Sequence, residues 1–138
     1  MGLICIYKGV VGLDDLHDLR KDTESALKEN GVDADSCSNL VLMVDEWITN
    51  VISYAYQCQK GELELKIDFR DSEVTICIRD RGPQFDFTSY KAKALKNIYD
   101  SDSMPGGLGI ELIRRLSDKM EYSRSDDGWN ESCFSKSI

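Results

Sequence analysis

The spacing of apolar positions changes several times along the chain, and each change marks an element. From Val41 to Tyr56, the residues Val44, Trp47, Ile48, Val51 and Ala55 recur at three- and four-residue steps without an intervening Gly or Pro. This predicts one long helix with a single buried stripe. Leu13, Leu16, Leu19, Thr23 and Ala26/Leu27 give an earlier helical stripe, which Asn30-Gly31 ends. Between the two, Asp33, Asp35 and Ser36 are N-cap candidates for the long helix. Leu3 to Lys8 alternates enough for a short first strand. Gly61 opens a strict polar/apolar alternation through Arg70. Asp71-Ser72 turns the chain, and Val74, Ile76 and Ile78 alternate into Asp80. That pair predicts an antiparallel hairpin.

From Arg81 to Pro105 the pattern dissolves into a long polar connection, with a short helix expected around Tyr90 to Ile98. Gly106-Gly107-Leu108-Gly109 then opens a helix carried by Ile110, Leu112/Ile113 and Leu116. Met120 to Arg124 and Glu131 to Ser135 are two closing strands around the turn Asp126 to Asn130. The order is strand, helix, helix, two strands, long loop, helix, two strands. It predicts an α+β fold: a mixed, mostly antiparallel sheet with helices on one face.

Length and charge narrow the function. A chain of 138 residues fits a single domain, 1–138, with one sizeable core. The net charge of −8 argues against a direct nucleic-acid binder, which needs Lys and Arg to displace phosphate counterions. The longest apolar run, Leu40 to Val44, is too short to cross a membrane, and Met1 to Lys8 lacks the cationic start of a secretory signal. Gly2 invites a myristoylation reading, but Ile6 stands where that pattern needs Ser or Thr. The five cysteines form no Cys-x-x-Cys pair, and one histidine, His17, leaves no zinc constellation. Cys5, Cys77 and Cys133 fall in strand-like segments, where they are expected to pack as small hydrophobes in a reduced, cytoplasmic protein. His17-Asp18-Leu19-Arg20 has the look of a phospho-acceptor box. It lacks the Pro that normally follows, so His17 reads as an exposed helical residue.

Three short motifs carry candidate chemistry. Glu46 and Asn50, four residues apart, project from one helical face. A carboxylate there can take a hydroxyl proton, and an amide oxygen can help hold a hard cation such as Mg²⁺. Alone, such a pair is most often simply the polar edge of an amphipathic helix. Asp80-Arg81-Gly82-Pro83-Gln84-Phe85-Asp86 places a carboxylate at the mouth of a strand, where it can accept from an exocyclic amine, or it is an ordinary strand-ending turn. Gly106 to Gly109 exposes backbone N–H groups at a helix start, an arrangement that suits phosphate or, equally, a hinge. It is neither a Walker A loop nor a dinucleotide fingerprint.

In combination and in this order, the three motifs resemble those of the Bergerat-fold (GHKL) ATPases, the superfamily of gyrase B, Hsp90, histidine-kinase catalytic domains and MutL. Asp80-Arg81-Gly82-Pro83-Gln84-Phe85-Asp86 and Ala55-Tyr56 are more similar still to the anti-sigma-factor serine/threonine protein kinases. The likeness runs from about Leu3 to Ile138. It implies a two-layer α/β sandwich that binds ATP and Mg²⁺ and transfers phosphate to a protein hydroxyl. It also implies roles: Glu46 as the general base, Asn50 as the Mg²⁺ ligand, and Asp80 with Gly82 at the adenine. Gly107, Leu108 and Gly109 would be the phosphate-binding backbone, and residues 84–105 an ATP lid whose Lys91, Lys93 or Lys96 can assist. Ser132 would supply the hydroxyl of the late strand that helps hold the base. The partner implied is an anti-anti-sigma protein of the STAS fold, with a sigma factor as a second partner and a homodimer as an allowed assembly. The chain departs from the family's pattern at Tyr54, where relatives often carry His, at Gln84 in place of a second glycine, and at Phe87 in place of Pro. Two rival classes remain: a nucleotide-dependent binding module without transfer, and a histidine-kinase core.

Overall fold

The computed structural model describes residues 2–90 and 107–138. Five strands form one sheet in the order β1-β2-β3-β5-β4. They are β1 (Gly2–Val11), β2 (Gly61–Arg70), β3 (Glu73–Asp80), β4 (Lys119–Arg124) and β5 (Asn130–Ser137). All four pairings are antiparallel, so the parallel component that a mixed sheet would add is absent among the described residues. Among the described residues three α-helices accompany the sheet: α1 (Leu16–Glu29), α2 (Ala34–Asn50) and α3 (Gly107–Leu116). β1 runs past the expected strand at both ends because it pairs along β2 from Gly2 to Val11, with one register shift between Cys5 and Tyr7. The helix expected around Tyr90 to Ile98, and Lys91, Lys93 and Lys96 with it, lies almost wholly outside the described residues.

Alternation explains the two faces of the sheet. Leu63, Leu65, Ile67 and Phe69 of β2 point to one side with Val74, Ile76 and Ile78 of β3 and Phe134 of β5, and all are buried. They meet Leu19 and Leu27 of α1, Leu40, Met43, Val44, Trp47 and Ile48 of α2, and Ile110 and Ile113 of α3 in one core. Every face-exposing slip of register would bring this set to solvent, which is why the pairing is well specified.

The opposite face carries charged rungs. Glu64, Arg79 and Glu131 lie opposite one another across β2, β3 and β5, with Arg79 donating to Glu64 at 2.7 Å. One rung further, Cys77 and Cys133 stand directly opposite each other and are joined by a disulfide. This corrects the expectation of reduced, hydrophobe-like packing for these two. Strict alternation puts both on the face away from the core, and the register brings their Cα atoms to 4.2 Å. Cys5 and Cys58 are exposed and Cys37 is buried, all as free thiols.

α2 starts where the sequence allows it. Of the three cap candidates, Asp33 takes the position and accepts from the Ser36 backbone N–H at 3.0 Å. Its end differs from expectation: regular α-helix stops at Asn50, and Val51–Ala55 form a wider π-helical turn. Tyr56 then folds back over β2, its hydroxyl donating to the Glu62 carbonyl at 2.5 Å and accepting from Arg81 N–H at 2.7 Å. Gly61 makes this possible, because a Cβ there would lie 2.3 Å from the Tyr56 ring.

Candidate functional site

The site lies where α2, the end of β3 and the start of α3 meet. Glu46 is half-buried and Asn50 buried, one turn apart on α2. The start of α3 runs against them. A Cβ built on Gly109 would sit 2.8 Å from Glu46 Oε2 and 3.4 Å from Asn50 Nδ2. A side chain there fits only if the Glu46 carboxylate moves, and this close approach brings a helix N-terminus to the carboxylate and the carboxamide. Leu108 is exposed at the same helix start. Gly107, the first residue of α3, belongs to that backbone.

Asp80 ends β3, almost fully buried, and lines a cavity of about 210 Å³ with Trp47, Asn50, Tyr54, Phe85 and Asn130 among its walls. That is below the roughly 300–1,000 Å³ of pockets for drug-sized ligands, so it matches a ring system rather than a whole nucleotide. Burial pushes the Asp80 carboxyl above its ordinary range; donation from Asn130 and the Gly82 backbone, and the nearby Arg124 charge, act in the other direction. Gly82 is needed at the turn, since a Cβ there would meet Ala55 Cβ at 2.7 Å and Asp80 Oδ1 at 3.0 Å.

The segment after Gly82 shows why Phe85 and Asp86 belong to the motif. Phe85 stacks on Trp47 at 6.4 Å between ring centroids, and Phe87 packs on the same indole at 4.9 Å, fully buried. Phe87 thus fills core. Asp86 accepts from both the backbone N–H and the hydroxyl of Thr88, closing a local turn. Arg114 of α3 then donates to the carbonyls of Thr88 and Tyr90, fastening this strand exit to the third helix.

Of the residues singled out in the sequence, Glu46, Asn50, Asp80, Gly82 and Gly109 converge. Ser132 does not join them. It faces Ile78, one rung inward from Asp80, fully buried, and its hydroxyl finds no partner among the described residues. The residue that sequence reasoning missed is Asn130. It lies directly opposite Asp80 and donates to Asp80 Oδ1 at 3.0 Å and to the carbonyls of Gly82 and Pro83 at 3.1 and 3.0 Å. Its position at the end of a turn sequence concealed it, and only the register with Asp80 exposes its role. His17 is exposed on α1, as its pattern implied.

The model of the histidine kinase-like ATPase domain family matches residues 12–135, and the chain belongs to that family. Its similar proteins include the serine/threonine-protein kinase BtrW of Bordetella bronchiseptica, 33% identical over 92 residues, which are 66% of this chain and 63% of that protein. The serine-protein kinase RsbW of Staphylococcus aureus is 27% identical over 109 residues, covering 74% of this chain and 67% of the relative. The match thus spans about two thirds of the length of these relatives. In fold, the chain is similar to a chain in the SiaB–SiaC complex of Pseudomonas aeruginosa, with a TM-score of 0.72 at 13% identity over 96% of this chain and 88% of the other.

Proposed function

We propose that the chain is an ATP-dependent protein serine/threonine kinase of the anti-sigma-factor type. The observation that carries this reading is the approach of Gly109 to Glu46 and Asn50, beside a cavity that ends on the Asp80 carboxylate. A binding site alone needs the phosphate-facing helix start and the base pocket. It does not need a carboxylate held against that helix start.

The ring-sized cavity takes adenine, with Asp80 accepting from its amino group. The backbone N–H groups of Gly107, Leu108 and Gly109 bind the phosphates at the positive end of α3. Among the described residues no three His, Cys, Asp or Glu side chains form a metal cluster. Mg²⁺, a hard cation that takes oxygen ligands and few of them from protein, would be held by the carboxamide oxygen of Asn50 together with substrate phosphates. Mg²⁺ supplies neutralisation of phosphate charge. Glu46 accepts the proton of the incoming serine or threonine hydroxyl. As the hydroxyl oxygen bonds to the γ-phosphorus, the bond from that phosphorus to the β,γ-bridging oxygen breaks and ADP leaves.

The same reading covers a single domain over 1–138, a lid over 84–105, of which 91–105 lie outside the described residues, and a cytoplasmic location. No described helix is long and apolar enough to cross a membrane. The Cys77–Cys133 bond fits a reducing compartment poorly, so thiol titration of freshly isolated protein tests the location directly. A STAS-fold anti-anti-sigma protein is the proposed substrate and a sigma factor the second partner. Incubation with labelled ATP and STAS-fold candidates tests the whole. Acid-stable label on a partner serine or threonine supports the proposal. Nucleotide binding without transfer points to a binding module, and acid-labile phosphohistidine to a sensor-kinase core.

A further inference from the structure

One row of the sheet runs through the base pocket: Leu63 on β2, Asp80 on β3, Asn130 on β5 and Arg124 on β4 are successive cross-strand partners. The hydrogen bonds along it have a definite sense. Asp80 Oδ1 accepts twice, from the Gly82 N–H at 2.8 Å and from Asn130 Nδ2 at 3.0 Å. Neither donor reaches Oδ2, which leaves that oxygen as the acceptor for a ligand in the cavity. Asn130 Nδ2 faces three acceptors: Asp80 Oδ1 and the carbonyls of Gly82 and Pro83. Asn130 Oδ1 faces two donors on β4, the Tyr122 hydroxyl and Arg124 Nη1, the latter at 2.9 Å. Turning the carboxamide over would set its oxygen against three acceptors and its NH₂ against two donors. Arg124 also donates to the Gly82 carbonyl at 3.3 Å, which holds the turn beside it.

We infer that Tyr122 and Arg124 are positioning residues for base selectivity: by holding the carboxamide of Asn130 they hold the Asp80 carboxylate at the angle at which its remaining oxygen meets the ligand. This rests on the proposal that Asp80 reads the adenine amino group. Neither β4 side chain is among the cavity walls, so both act through Asn130. Without its two donors on β4 the carboxamide is held only through Nδ2, whose two hydrogens are shared among three acceptors, so its hold on Asp80 Oδ1 loosens. The carboxylate is then fixed chiefly by the Gly82 N–H and can pivot about it, and the advantage of a ligand that brings a donor shrinks.

The test compares Mg-ATP with Mg-purine riboside triphosphate, which lacks the 6-amino group, by calorimetry. The wild type is expected to prefer ATP by about ten-fold or more, the equivalent of one buried hydrogen bond. In Tyr122→Phe/Arg124→Leu the preference should shrink to about three-fold or less, with affinity for the desamino nucleotide retained. Arg124→Lys, which keeps a donor, should keep most of the preference. A merely structural role lowers both affinities together and leaves their ratio unchanged, and an unchanged ratio overturns the inference. A wild type without preference removes Asp80 from the adenine and takes the inference with it. Tyr122→Phe alone removes one hydroxyl from a half-buried ring and repeats the test, with a smaller shift, on a fold that tolerates it.

Discussion

Adding a single methyl group at Gly109 should move stability and activity in opposite directions. Gly109 is the third residue of α3. Alanine in place of glycine in a helix gains up to about 1 kcal/mol, less near an end. The new Cβ would approach Glu46 Oε2 to 2.8 Å and Asn50 Nδ2 to 3.4 Å. Glu46 is half-buried and its carboxylate is the far end of a flexible side chain, so it can swing aside at little cost. Reaching an ordinary contact of about 3.5 Å displaces that oxygen by roughly half an ångström or more. Misplacement on this scale in a reacting constellation costs on the order of 10–10²-fold in rate. Gly109→Ala should therefore melt at the wild-type temperature or slightly above, while phosphotransfer falls by that factor. Urea unfolding and single-turnover transfer from labelled ATP measure the two effects. Wild-type transfer in a normally folded Gly109→Ala would refute the claim that Glu46 must stand where the helix start places it. Marked destabilisation would refute the claim that its side chain can give way.

Other perturbations probe the remaining parts. Glu46→Gln should leave ATP affinity nearly intact and lower transfer by about 10²–10⁴-fold, whereas Asn50→Ala should weaken Mg²⁺-dependent nucleotide binding as well; calorimetry beside a transfer assay separates them. Because burial raises the Asp80 pKa in the folded protein, the ionised carboxylate costs stability at neutral pH. That cost is relieved as pH falls through the raised value, so wild type should gain on Asp80→Asn as pH drops from neutral toward the ordinary carboxylate range. Urea midpoints of both proteins across that range check the sign, and a relative loss for wild type would contradict it. Reducing Cys77–Cys133, which spans 56 residues, should lower stability by about 2–4 kcal/mol with the fold retained, seen as a shift of the urea midpoint on adding dithiothreitol.

Periodicity made most of the architecture legible. The strict alternation of Gly61 to Arg70 and the stripe of Val44, Trp47, Ile48 and Val51 are local signals, and burial follows them except at Glu64, which is buried beside Arg79. The order of Glu46/Asn50, Asp80/Gly82 and Gly107/Gly109 was readable for the same reason, since each motif is a short-range pattern. What escaped depends on pairing across the sheet. Cys77 and Cys133 stand 56 residues apart and meet only through the register of β3 with β5. The same register places Asn130, and not Ser132, beside Asp80. The π turn after Asn50 escaped because Val51 to Ala55 keep an apolar stripe that suits either helix type; the wider turn precedes Tyr56, which folds over Gly61.

The two tryptophans of the chain occupy opposite sides of the sheet's active end, and this gives the protein a built-in optical gauge. Trp47 forms part of the cavity wall, wedged against Phe85 and Phe87, so a purine entering the cavity changes the surroundings of its indole. Trp129 is pinned beneath the guanidinium groups of Arg79 and Arg81, whose centres lie 4.8 and 4.4 Å from its ring. One emitter thus responds to occupancy while the other reports on the sheet face. In Trp129→Phe the remaining emission belongs to Trp47 alone, and nucleotide titrations can be read without a label, a partner protein or turnover.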